Sequence, residues 1–223
     1  ISAVAGTGVE GFAGDGGPAT AAQFNGPTDA IVTPDGAVLV ADEFNHRVRR
    51  IATNGTISTV AGNGADACQA LSGAATGAAF RWPRALALDP LGGYFILDEA
   101  CAMVHHVAPG ADGVTGTADD TATTVAGTGA TGYSGDGGPA TGVTFDNPRG
   151  LAATSSSVLA ADWLNRRVWR SARPSGPATT VAGSGPGPRN VSLIRSPQPT
   201  RTVSIPSAVF GSYTITSYRP PRR

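Results

Sequence analysis

Two glycine-rich stretches, VAGTGVEGFAGDGGPAT at 4–20 and VAGTGATGYSGDGGPAT at 125–141, place Asp15 and Asp136 where a loop could cradle an anion or turn the chain. A phosphate loop needs glycines leading from a strand into a helix, commonly with a Lys that reaches the phosphate. Here Pro18 and Pro139 follow the glycines, no helical pattern comes next, and all 16 basic residues are Arg. Turns are therefore the expected use, with glycine supplying positive φ and the two Asp accepting from turn amides.

A second recurring group is Asp42, Asp98 and Asp162, followed three residues later by Asn45 and Asn165, then by Arg47 and Arg167. A ligand site usually breaks repeat symmetry, whereas a turn repeats it. The expected role is to satisfy backbone amides between strands, with Arg bridging neighbouring units. Cys68 and Cys101 are the only cysteines. They fall in one repeat, where the other copies carry Phe12 or Tyr133 and Asn45 or Asn165. A disulfide in place of a non-covalent contact is the favoured reading, and it implies an oxidising compartment.

Three further groups could do chemistry. Asp112, Asp119 and Asp120 lie in a glycine-rich insertion, PGADGVTGTADDTA, that could gather oxygen ligands around Ca²⁺ without the spacing of an EF-hand. His46, His105 and His106 do not form an obvious zinc set, because strand neighbours point to opposite faces. Asn54-Gly-Thr56 and Asn190-Val-Ser192 match the N-glycosylation pattern, and Trp163 offers a stacking surface for a glycan or peptide.

The balance of 16 acidic against 16 basic residues gives no one-sided basic surface for nucleic acid. No apolar run approaches the roughly 20 residues that span a bilayer. Gly at 31 and Pro at 17 in 223 residues imply many turns and short elements.

The elements that position these residues follow from repetition. VAG recurs at Val4, Val60, Val125 and Val181, at intervals of 56, 65 and 56 residues. Each copy predicts four short strands, at about 28–33, 37–42, 46–52 and 57–61 in the first. PDGA (34–37) turns the first pair and the Asn-Gly of TNGT (53–56) predicts a primed hairpin turn. Four antiparallel strands per repeat of this length predict an all-β propeller of four-stranded blades.

The order VAGxG, GDGGPA, Pro, small-apolar strand, then Asp-x-x-Asn-x-Arg-Ile/Val resembles the NHL-repeat propellers over residues 1–185. The middle copy keeps Asp98 and Val104 but has Cys101 and Met103 where the pattern asks for Asn and Arg. The resemblance implies blades around an axis, used by many members for binding and by a few as lyases or lactonases. Repeats run about 4–59, 60–124 and 125–180. Ile1–Gly6 reads as an outer strand of another blade, and 186–223 as an extended Pro-rich, strand-forming tail.

Three closures stay open: a degenerate last blade from the tail, pairing of two chains, or an open arc covered by a neighbour. The leading expectation is a non-enzymatic extracellular structural or interaction module, a glycoprotein that self-associates through strand edges or residues 190–223 into an oligomer or filament. It requires no cofactor. A glycan- or peptide-binding propeller and a metal-dependent lyase or hydrolase are the alternatives.

Overall fold

The computed structural model describes residues 2–173 and 176–184. Asn190 and the tail at 186–223 lie outside the described residues. Each repeat folds as one antiparallel sheet, a blade. Blade 1 comprises β1 (Pro27–Val32), β2 (Val38–Asp42), β3 (Arg47–Ile51) and β4 (Ile57–Ala61). Blade 2 contains β5 (Ser72–Ala74), β6 (Pro83–Leu88), β7 (Tyr94–Asp98), β8 (Met103–Ala108) and β9 (Thr121–Ala126). Blade 3 contains β10 (Pro148–Ala153), β11 (Ser157–Asp162), β12 (Arg167–Ala172) and β13 (Ala178–Ala182).

These residues form strands because runs of β-branched and apolar side chains lie between turn signals, and in blade 2 the sheet is buried on both faces, as β7 is along its whole length. The inner strands β1, β6 and β10 succeed one another and carry the junctions between blades. Between blades 1 and 2, Leu39, Val48 and Val60 meet Phe80, Tyr94, Ile96 and Val107 in one buried cluster. Between blades 2 and 3, Phe95, Leu97 and Val104 meet Phe145, Ala160 and Trp169.

Two register breaks recur in every blade. The inner strand bulges at Thr28, Arg84 and Arg149, the residue after each Pro. The outer strand bulges at Val60, Val125 and Val181, so the Val of VAG is the unpaired residue each time. A bulge re-aims its side chain out of the ordinary alternation. Val60 is thereby delivered into the next blade's core. The Gly that ends VAG passes against the turn between the second and third of the blade's long strands (β2–β3, β7–β8 and β11–β12): a Cβ on Gly62, Gly127 or Gly183 would collide with the carbonyl of His46, Ala102 or Arg166 respectively. That close approach, at positive φ, is why this position is Gly in each copy.

Three details differ from the sequence expectation. Blade 2 has a fifth strand, because Ser72–Ala74 lie antiparallel to β9. In the other copies the Gly turn and Pro18 or Pro139 reduce the same contact to one bridge, since Pro offers no N–H. The TNGT turn is not a primed two-residue turn. Only Gly55 takes positive φ, and Ala52 and Thr56 close a three-residue loop with Ala52 N–H donating to the Thr56 carbonyl at 2.8 Å. Ser2–Gly6 carry no strand. The equivalent β4 and β9 ends pair with the third strand of their own blade, and no such strand stands beside Ser2–Gly6 among the described residues.

Cys68 and Cys101 form a disulfide. Asn45 and Asn165, in the place of Cys101, donate from Nδ2 to the carbonyls of Gly11 (2.8 Å) and Gly132 (2.7 Å), the residues just before Phe12 and Tyr133. The covalent bond in the β7–β8 turn thus replaces a side-chain hydrogen bond that ties the incoming connector to the β2–β3 and β11–β12 turns. With the cysteines separated by 33 positions in sequence, removing the bond by Cys68→Ala with Cys101→Ala should cost about 3–4 kcal/mol in the loop-entropy account. Urea denaturation of the double variant against the oxidised chain measures it; equal midpoints would contradict the prediction.

Candidate functional site

The Asp repeat is a structural clamp at the blade end where connectors arrive. Asp42 accepts from the Asn25 amide at 2.8 Å and from Asn45 Nδ2 at 2.9 Å. Asp98 accepts from the Arg81, Trp82 and Cys101 amides at 2.8, 2.9 and 3.3 Å. Asp162 accepts from the Asp146 amide at 2.8 Å, Asn165 Nδ2 at 2.7 Å and Trp169 Nε1 at 2.9 Å. Burial pushes all three carboxyls up, while these donors pull the other way. Arg47 stacks on Phe12 at 4.0 Å and donates to the Asn63 carbonyl at 2.9 Å, joining its own connector to the next. Arg167 repeats this with Tyr133 (4.0 Å) and the Ser184 carbonyl (2.9 Å).

Asp15 and Asp136 do not serve as turn acceptors. Asp15 accepts from Arg49 Nη2 at 2.6 Å and from Thr59 Oγ1 at 2.7 Å, and Asp136 from the Thr180 amide at 3.0 Å. They fasten the glycine loop to the outer half of the blade. The loop backbone does the same: Gly16 N–H donates to the Ile57 carbonyl and Gly137 N–H to that of Ala178, both at 2.8 Å.

Around the inner strands the bulged residues build a charged ladder that sequence reasoning missed. Arg84 Nη1 lies 2.7 Å from Glu99 Oε2 and 3.5 Å from Glu43 Oε2. Arg149 Nε lies 3.3 Å from Glu99 Oε1, and its guanidinium covers Trp163 at 3.8 Å. The order is therefore Glu43, Arg84, Glu99, Arg149, Trp163, running across all three blades. Burial raises the Glu43 carboxyl, opposed by Arg84. The signal lay in the pairing of Asp-Glu at 42–43 and 98–99 with Pro-Arg at 83–84 and 148–149. In blade 3 Trp163 takes the Glu position, and in blade 1 Thr28 takes the Arg position, donating its hydroxyl to the Arg84 carbonyl at 2.8 Å.

Trp163 is 53% exposed beside exposed Leu164. With Arg149, Arg166, Val168 and Gly183 it lines an open cleft of about 740 Å³. The surface below carries Ala161 and Val181, exposed in blade 3 although their counterparts Leu97 and Val60 are buried.

The three histidines are held separately. His46 Nδ1 lies 2.5 Å from the Arg81 carbonyl, His105 Nδ1 3.0 Å from Thr124 Oγ1, and His106 Nε2 2.9 Å from Asp89 Oδ2. Burial would raise Asp89, but Arg173, the Leu91 amide and His106 hold it below the usual carboxylate range. Asp112, Asp119 and Asp120 each offer an oxygen within 4.8 Å of the others. Those carboxylates already accept from the Val114 amide, Thr117 Oγ1 and the Gly116 amide at 2.8, 2.7 and 2.8 Å. Asn54 is exposed at its loop tip, with Oδ1 accepting from the Thr56 amide at 3.0 Å.

No family model matches the chain, and no curated protein sequence does. Solved structures similar to it include a structural-genomics protein of unknown function from Bacteroides thetaiotaomicron, at 19% identity and TM-score 0.53, covering 63% of this chain and 34% of that one. An auxiliary nutrient binding protein from Bacteroides ovatus matches at 17% identity and TM-score 0.50, covering 68% and 38%. A second such protein, from Bacteroides thetaiotaomicron, matches at 19% and 0.50, covering 63% and 36%. These likenesses show an all-β, propeller-type fold, and the chain spans little more than a third of each neighbour. No helix among the described residues is long and apolar enough to cross a membrane.

His105 supplies a pH prediction. Burial lowers its imidazole to about 4, against an ordinary value of about 6.5. A depressed base contributes stability that is complete above the ordinary value and is lost as pH falls toward the folded one. Between pH 7 and 4.5 the chain should lose on the order of 2 kcal/mol through this residue. Thermal melts of His105→Phe should show a shallower acid limb than the parent; parallel limbs would contradict the assignment.

Proposed function

We propose that this chain is an NHL-type blade segment that acts as a non-enzymatic interaction module in a secreted or cell-surface setting, binding protein through the open face of blade 3. One observation carries the reading. The bulged Val of each blade is built to enter a neighbouring blade, as Val60 does at 2% exposure, yet Val181 stands 45% exposed. Leu159, Ala161 and Val168 beside it are the counterparts of the junction residues Phe95, Leu97 and Val104. The face is thus shaped for an apolar, blade-like partner, a second copy of the chain being the simplest.

Two further points support this reading. The disulfide fits an oxidising compartment, and two of the similar solved structures are named as nutrient-binding proteins. Glycosylation at Asn54 accords with its exposed tip and would appear as a mass difference abolished by Asn54→Gln. Ca²⁺ at Asp112, Asp119 and Asp120 would appear as a melting temperature raised by Ca²⁺ and lowered by chelator. A second reading, binding of a glycan or peptide at Trp163, rests on its open ring face beside the Arg149 stack.

Sedimentation of the full chain over a concentration series should show self-association. Val181→Asp should weaken it at least tenfold by placing a charge in the apolar contact. A parent that stays monomeric to high micromolar concentration, or a variant that associates equally, would contradict the proposal. Trp163→Ala separates the readings: loss of glycan binding with association intact would favour the second.

A further inference from the structure

A cavity of about 830 Å³ lies between blades 2 and 3. Its walls are Phe95, Val104, Val125, Phe145, Ala160 and Trp169. The junction between blades 1 and 2 shows what fills such a space: Tyr94, Ile96 and Val107 are all 0% exposed there. The repeat register puts Val158, Ala160 and Ser171 at those positions in blade 3. Each is smaller, by a phenol ring, most of a branched butyl group and a methyl group, while the larger Trp169 stands where blade 2 has His105.

The covering differs as well. At the first junction the insertion between β8 and β9 reaches across: Thr115 Oγ1 accepts from the Gly93 amide at 3.2 Å, and Gly116 rests against Leu39. In blade 3 only residues 173–177 join β12 to β13. Among the described residues, the second junction therefore has smaller side chains at these three positions and no counterpart of the long cover.

The lining is mainly apolar, and its formally charged residues, Asp89 and Arg173, are paired with each other. The Arg173 guanidinium also lies 4.8 Å from the Phe95 ring centroid. Arg173 Nε and Nη2 have no hydrogen-bond partner, but the Asp89 carboxylate beside them offsets their charge, so an anion would lose its hydration without meeting a net counter-charge. A cavity of this volume is within the range that holds small ligands, and apolar cavities stay dry and accept apolar molecules. Three aromatic walls favour a flat ring.

We propose that the cavity between blades 2 and 3 binds a small uncharged aromatic molecule, whose ring takes the volume that the Tyr94 phenol occupies in the neighbouring junction. The site is separate from the outer face of blade 3 and does not depend on it.

The test uses the full oxidised chain with two probes: N-phenyl-1-naphthylamine, read by its fluorescence, and p-cresol, the free equivalent of a Tyr side chain. Saturable binding of the dye with one site per chain is expected, with displacement by p-cresol and at least tenfold weaker displacement by benzoate. Ala160→Ile and Ser171→Val, which restore the blade 2 residues, should each weaken dye binding at least tenfold while melting cooperatively at or above the parent temperature. Ser171→Val changes less volume and serves if Ala160→Ile fails to fold. Val181→Asp should leave dye binding unchanged. Absence of saturable binding, or equal binding by a refilled variant that melts cooperatively, would overturn the proposal.

Discussion

The structure depends on a buried carboxylate at the end of each second strand. Asp42, Asp98 and Asp162 are all at most 1% exposed. Each takes an amide from the residues that lead into the inner strand. Leaving such amides unpaired in a buried turn would cost about 1–3 kcal/mol each. The carboxylate therefore fixes where the connector enters, and with it the start of the inner strand and the bulge that follows. Asn45 and Asn165 extend the clamp to the glycine loop, and blade 2 does the same job with a disulfide.

From that anchor the bulges follow, and from them the junctions. An inner bulge aims Arg84 and Arg149 toward the glutamates of adjoining turns, while an outer bulge aims Val60 and Val125 into the next blade. The ladder's contribution is better regarded as register than as net stability, since desolvation offsets much of a buried ion pair. The ladder begins at Glu43, whose Oε2 lies 3.5 Å from Arg84 Nη1, and ends at Trp163, whose ring lies under the Arg149 guanidinium. The same logic links the two proposals without making them interdependent: one concerns a junction face with nothing packed on it, the other a junction whose filling residues are too small.

Much of the fold was legible because it repeats. The VAG period, the strand spacing and the Cys substitutions at Phe12 and Asn45 positions gave the blades and the disulfide directly. Other features were hidden for physical reasons. A bulge leaves no trace in a period-two pattern, so the aim of Arg84, Arg149 and Val181 could not be read. Asp15 looked like a turn acceptor because its partner, Arg49, is distant in sequence and reaches it only once the loop folds over the blade. The cavity depended on comparing Tyr94, Ile96 and Val107 with Val158, Ala160 and Ser171, which requires the strand register. The tail and Asn190 lie outside the described residues, so those expectations rest on sequence alone.

Each buried Asp holds its own connector. Hydrogen exchange of the Asn25, Trp82 and Asp146 amides tests it most directly, in the parent chain and in Asp162→Ala. Strong protection of all three is expected in the parent, and selective loss at Asp146 in the variant while Asn25 and Trp82 stay protected. Fast exchange at these amides in the parent, or undiminished protection of Asp146 in the variant, would contradict it.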